Sequence, residues 1–174
     1  TAAFGIPSIH LTDLSDSRTQ TLILCPTREL CMQVTSDIKT YSKYVDNLGV
    51  VPIYGGASME VQIRAIKKRS QIVVGTPGRT KDLLKRKKLF IDRVERVILD
   101  EADEMLSMGF KDDLDFILSK ISTDNQKLFF SATMPKKLSS IVKQYMNNLV
   151  TVAVDPGNTA STNVKHIVHM VQAR

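Results

Sequence analysis

The chain has 174 residues, of which 43% are hydrophobic and 24% charged, with a net charge of +6. That is enough for one domain with a real core and too little for two, and it argues against disorder. No apolar run approaches the ~20 residues of a membrane helix, no secretory leader is recognisable, and the basic excess favours a polyanionic partner only weakly.

The predicted elements alternate. A continuous apolar run at 22–25 reads as a strand buried on both faces. A helical pattern at 29–44 follows, with Leu30, Val34, Ile38 and Tyr41 on one side. Cys25 ends the strand and Cys31 lies on the helix. Neither spacing suggests a disulfide framework or a metal site, so both read as reduced thiols of a cytoplasmic protein. A second apolar run at 50–54 precedes a helix capped by Ser58 and running to 66, with Met59, Ile63 and Ile66 inward.

A third run at 72–74 leads into a helix at 78–86. Then come a run at 97–99, a helix at 110–121, a run at 128–130 and a helix at 136–146, which Pro135 suits as a start. A sixth run, 150–154, is the last predicted strand. Residues 155–163 read as a flexible exit and 165–171 as the start of another strand. Strand and helix in alternation imply right-handed βαβ units: an α/β fold, a parallel sheet sandwiched by helices.

The unusual residues fall just after the apolar runs: Pro26-Thr27-Arg28-Glu29-Leu30, Gly55-Gly56, Thr76-Pro77-Gly78-Arg79, Asp100-Glu101-Ala102-Asp103 and Ser131-Ala132-Thr133. In open α/β sheets ligands bind in the crevice outside the carboxyl ends of the strands. The clustering therefore predicts one functional edge. Asp100 and Glu101 end a buried strand, which suits one carboxylate to a Mg²⁺ ion, directly or through water, and its neighbour to activating a water. An acidic pair after an apolar run is a weak signal alone.

Together and in order, these five segments resemble the signatures of DEAD-box ATP-dependent RNA helicases, and residues 104–110 resemble them too. The resemblance implies a RecA-like fold of the P-loop NTPase type, with residues 1–156 as part of the first, ATP-binding domain. Residues 157–174 would be a linker and the start of a second RecA-like domain. It implies ATP and Mg²⁺ as cofactors and RNA and that second domain as partners, with no membrane. Glu101 is then the catalytic base and Asp100 the Mg²⁺ anchor, through water. Thr1 would be the threonine that ends the phosphate-binding loop.

Pro26, Thr27, Arg28, Gly55, Gly56, Thr76, Pro77, Gly78 and Arg79 would grip the RNA backbone without reading bases. Asp103, Ser131, Ala132 and Thr133 would couple hydrolysis to strand separation. Cys31 and Thr80 depart from the residues usual there, alanine and leucine, with no expected effect on the chemistry. The basic runs at 67–69 and 86–88 read as solvated helix ends. His10 is structural or on the surface, and His166 and His169 do not suggest a metal site. A non-catalytic RNA-binding module and a DNA translocase of the same superfamily are the competing readings.

Overall fold

The computed structural model describes residues 1–153. The expected exit, the strand at 165–171 and both late histidines lie outside them.

The elements run α1 (Ala2–His10), β1 (Thr21–Leu24), α2 (Arg28–Tyr41), β2 (Val50–Ile53), α3 (Met59–Lys68), β3 (Ile72–Gly75), α4 (Pro77–Lys85), β4 (Arg96–Leu99), α5 (Ala102–Ser107), α6 (Lys111–Leu118), β5 (Gln126–Phe129) and α7 (Lys136–Tyr145). The five strands form one parallel sheet in the order β2-β3-β1-β4-β5.

The apolar runs lack polar alternation because each strand feeds two cores. Leu22, Leu24, Val73, Val97 and Leu99 join the core under α3 to α7, which includes Leu83, Met105, Leu114 and Ile141. Ile23, Cys25, Ile72, Val74 and Ile98 face the other way, onto Phe4, Cys31, Val34 and Ile38 of α1 and α2. β1, β3 and β4 are buried throughout, so each must be covered on both faces. Pro52 sits in β2 at an edge of the sheet, where a missing N–H costs no ladder bond to a further strand.

Helix starts follow local chemistry. The Thr27 hydroxyl accepts from the Leu30 N–H at 3.2 Å and Ser58 accepts from Val61 at 3.5 Å. Pro77 opens α4, where its missing N–H would have had no helical partner.

Two helices escaped the sequence pattern. α1 carries Pro7 and has no acidic residue in its first turn, and α5 is six residues long. The sixth predicted strand is a correction. Residues 150–153 form no strand, and Val150 and Val152 are exposed. An apolar run becomes a strand only when a neighbour completes its ladder, and β5, the sheet edge on that side, is not paired with it.

Candidate functional site

The registers set the site. Leu24 pairs with both Gly75 and Leu99, Ile53 with Gly75, and Leu99 with Phe129, so the five strands end level. The ladder continues past the ends. The N–H groups of Cys25, Thr76, Asp100 and Phe130 donate to the carbonyls of Gly75, Ile53, Leu24 and Leu99 at 2.8–3.0 Å. The five segments therefore stand side by side: Gly55-Gly56, Thr76 to Arg79, Pro26 to Arg28, Asp100 to Asp103, and Ser131 to Thr133. At about 4.8 Å per strand the row is roughly 19 Å long. The chain goes outward from β1 over one face and later crosses to β4 over the other, so the row straddles a topological switch point.

The β2-β3-β1 half is basic. Arg28 is exposed and stacks its guanidinium 5.0 Å from the Tyr54 ring centre. A Cβ on Gly56 would come within 3.9 Å of Arg28 Nη1, and Gly56 has φ +76°, which a glycine adopts without strain. Gly55 faces open space. Pro26 is buried, and Thr76 and Gly78 are half-buried at the start of α4, where the first N–H groups lack helical partners.

Arg79 donates from Nη1 and Nη2 to the Ala57 carbonyl at 3.2 and 3.3 Å, and so braces the glycine loop from the next strand. Thr27 likewise commits its hydroxyl oxygen to the α2 cap.

Sequence reading missed Gln62. This buried side chain on α3 accepts from the Tyr54 N–H at 3.2 Å and donates to the Tyr54 carbonyl at 3.0 Å. The amide substitutes for a strand and holds the Tyr54–Gly56 turn from below. The available signal was a polar residue among Met59, Ile63 and Ile66 on the inward face. Replacing Gln62 with leucine is expected to cost about 1–3 kcal/mol by leaving a backbone N–H and C=O unpaired. Urea unfolding and faster hydrogen exchange at Tyr54 measure it, and unchanged values in both discount the clamp.

Cys31 and Thr80, the two departures, lie beneath the same turns. Cys31 Sγ donates to the Val74 carbonyl at 3.2 Å and Thr80 Oγ1 to the Thr76 carbonyl at 2.9 Å. Burial pushes the Cys31 thiol up to about 12 and the Cys25 thiol higher still, so both stay protonated at neutral pH.

The β4-β5 half carries carboxylates and hydroxyls. Asp100 is half-buried, and burial raises its carboxyl pKa against the opposing pull of the Thr1 amino group and the Glu101 backbone N–H. Thr1 is the N-cap of α1. Glu101 is exposed and left-handed, with φ 53° and ψ 53°, just before α5. A residue with a Cβ is strained there, and strain of this kind concentrates at functional sites.

Asp103 Oδ2 accepts from the Thr133 N–H at 2.9 Å and from its hydroxyl at 2.6 Å, joining the segments after β4 and β5. Burial would raise the Asp103 pKa, but the hydrogen bonds from the Thr133 hydroxyl and backbone N–H counter it, and the carboxyl is held below its ordinary value. Ser131 donates to the Thr133 carbonyl, which folds the exposed Ser131-Ala132-Thr133 turn on itself.

Among the described residues no cluster of three or more His, Cys, Asp or Glu side chains could cage a metal, and no helix is long and apolar enough to cross a membrane. A lone half-buried carboxylate fits Mg²⁺ better than a caged ion, because Mg²⁺ keeps several waters and takes one or two protein carboxylates.

Comparison with known proteins gives a consistent picture. A family profile described as DEAD/DEAH box helicase matches residues 1–141. The chain is 42% identical over 174 residues to the ATP-dependent RNA helicase DeaD of Buchnera aphidicola subsp. Schizaphis graminum, covering 100% of this chain and 29% of that protein. It is 47% identical over 148 residues to the ATP-dependent RNA helicase CshA of Listeria monocytogenes, covering 85% of this chain and 28% of the relative. The chain thus spans under a third of these curated relatives.

A DEAD box protein from the hyperthermophile Methanococcus jannaschii superposes with a TM-score of 0.80 at 44% identity, covering 84% of this chain and 40% of that one. A hypothetical ATP-dependent RNA helicase from Sulfolobus tokodaii gives a TM-score of 0.76 at 37% identity, covering 84% and 42%. The sheet and its helices are the RecA-like fold of those structures.

Proposed function

Because the chain belongs to the DEAD/DEAH box helicase family, we propose that it is most of the first RecA-like domain, residues 1–156, of an ATP-dependent RNA helicase, with 157–174 leading into a second. The row of five segments carries this reading. It puts a basic, glycine-bearing half beside a half of carboxylates and hydroxyls on one rigid edge, as a protein holding a polynucleotide next to a nucleotide requires.

In this reading Arg28 forks onto phosphate oxygens, with Pro26, Thr27, Thr76, Pro77 and Gly78 shaping the backbone groove beside it. Gly55 and Gly56 let the strand approach closely, and Arg79 acts by holding their loop through Ala57. Asp100 would hold Mg²⁺, mostly through water, and the ion would neutralise charge on the transferred phosphate. Thr1, at the start of α1, would be the threonine that ends the phosphate-binding loop and would face the same phosphates. Glu101, exposed at the edge, takes the proton of the attacking water. Asp103 and the Ser131-Ala132-Thr133 turn link the hydrolysis site to whatever closes over it.

The test is phosphate release by the full-length parent. Single-stranded RNA is expected to stimulate it and matched DNA to do so far less. Equal stimulation by DNA favours a translocase, and no ATP turnover with any nucleic acid leaves only a binding module.

A further inference from the structure

The two basic runs end α3 and α4, as their composition suggested, but the fold also brings them together. They meet at the amino-terminal edge of the sheet, the end opposite the row. There Lys67, Lys87 and Lys88 line a cleft of about 240 Å³ with Arg18 and Phe90. Its floor includes Thr19 and Ser70, whose hydroxyls lie 3.3 Å apart. Arg18 is paired with Asp16 at 2.7 Å and also feels Asp92, so the unbalanced charge sits on the lysines. Among the described residues Lys67, Lys87 and Lys88 make no ion pair, and no acidic side chain lines the cleft.

Two further observations separate this cleft from a merely solvated surface. Phe90 is 65% exposed at its rim, beside the fully buried Leu89. Lys87 is left-handed, with φ 52°. The Lys87 N–H donates to Leu84 and the Lys88 N–H to Leu83, both carbonyls in the last turn of α4, so Lys87 occupies the position of a helix-ending motif that glycine fills without strain. The fold favours glycine here, and a lysine stands in its place, facing the cleft.

We propose that this cleft is a second binding site, for single-stranded nucleic acid, distinct from the row. Lys67, Lys87 and Lys88 take successive phosphates, and Phe90 stacks one base. Cations following a backbone beside an exposed aromatic platform are how sequence-tolerant single-strand sites are built. An acidic peptide would satisfy the lysines but would leave Phe90 without a stacking partner.

The experiment uses the full-length parent without ATP and a fluorescein-labelled dodecauridylate, read by anisotropy across a salt series. A 4-thiouridine version of the same probe is crosslinked and mapped by mass spectrometry. The expected result is a crosslink at Phe90. Phe90→Ala should weaken binding about five-fold or more. Lys87→Gly should lower the slope of log affinity against log salt by about 0.7, while raising the melting midpoint by about 2–4 °C. That rise guards against misfolding as the explanation.

The crosslink is also expected to persist in an Arg28→Ala variant, so the cleft is tested apart from the row. Three outcomes overturn the proposal: no crosslink in residues 86–91, an unchanged salt slope in Lys87→Gly, or polyglutamate bound by the cleft more tightly than the oligonucleotide.

Discussion

Replacing Glu101 with glutamine is expected to lower RNA-stimulated ATP hydrolysis by the full-length parent at least about 100-fold, the span of a lost general base. The glutamine keeps size and hydrogen-bonding shape but cannot take a proton. Its exposure predicts no loss of fold, so unfolding should stay within about 0.5 kcal/mol of the wild type. ATP binding should persist, because the missing function is proton transfer rather than affinity. A second substitution sharpens the test. Glu101 is left-handed, so Glu101→Gly should gain up to about 1 kcal/mol of stability while remaining as inactive as Glu101→Gln. Stability and activity then move in opposite directions at one position. If Glu101→Gln hydrolyses ATP at the normal rate, the base lies elsewhere and the assignment of the acidic pair is wrong.

The second large effect is expected at Gly75, the last residue of β3. A Cβ there would lie 2.5 Å from Thr80 Oγ1 and 2.6 Å from Ile53 Cγ1. Both neighbours are fully buried and cannot swing away. Gly75→Ala should therefore destabilise by about 1–3 kcal/mol, as overpacking does in close-packed interiors. Because β3 feeds Thr76 directly, the same change should shift the Thr76–Arg79 turn and weaken RNA binding. Adding Thr80→Ala removes one of the two collisions and should restore part of the loss, giving a non-additive pair in a double-mutant cycle. Full additivity, or a Gly75→Ala protein as stable as the wild type, would falsify the packing argument.

These two residues mark the limits of what the sequence could show. The place of Glu101 on the edge was legible because five unusual segments fell in order just after the apolar runs; its role as base is what the first substitution tests. Gly75 was not, because the reason for it lies in Ile53 and Thr80, which the fold brings together. The strand runs were readable for five strands, but their order was not: continuous apolar runs say that both faces are covered and nothing about which neighbours cover them. The run at 150–153 shows the converse error, since an apolar pattern without a paired neighbour forms no strand.

Gln62 and Arg79 mark a third limit: both bond backbone groups of the turn after β2, partners that residue type and position along the chain do not name. Helix starts were legible where a cap or proline marked them, as at Ser58 and Pro135, and illegible at α5, which begins from the strained Glu101. The basic runs at 67–69 and 86–88 were correctly read as helix ends, yet nothing local announced that they would share a cleft.

The level ending of the strands has a mechanical consequence. Parallel strands bonded to one another beyond their last residues behave as a stiff comb, and the teeth cannot slide. Arg28 leaves one tooth and Glu101 the next, so the sheet itself sets the spacing between the proposed polynucleotide grip and the proposed proton acceptor. The side-chain tether from Asp103 to Thr133 adds a cross-tie between the neighbouring teeth β4 and β5, outside the ladder itself.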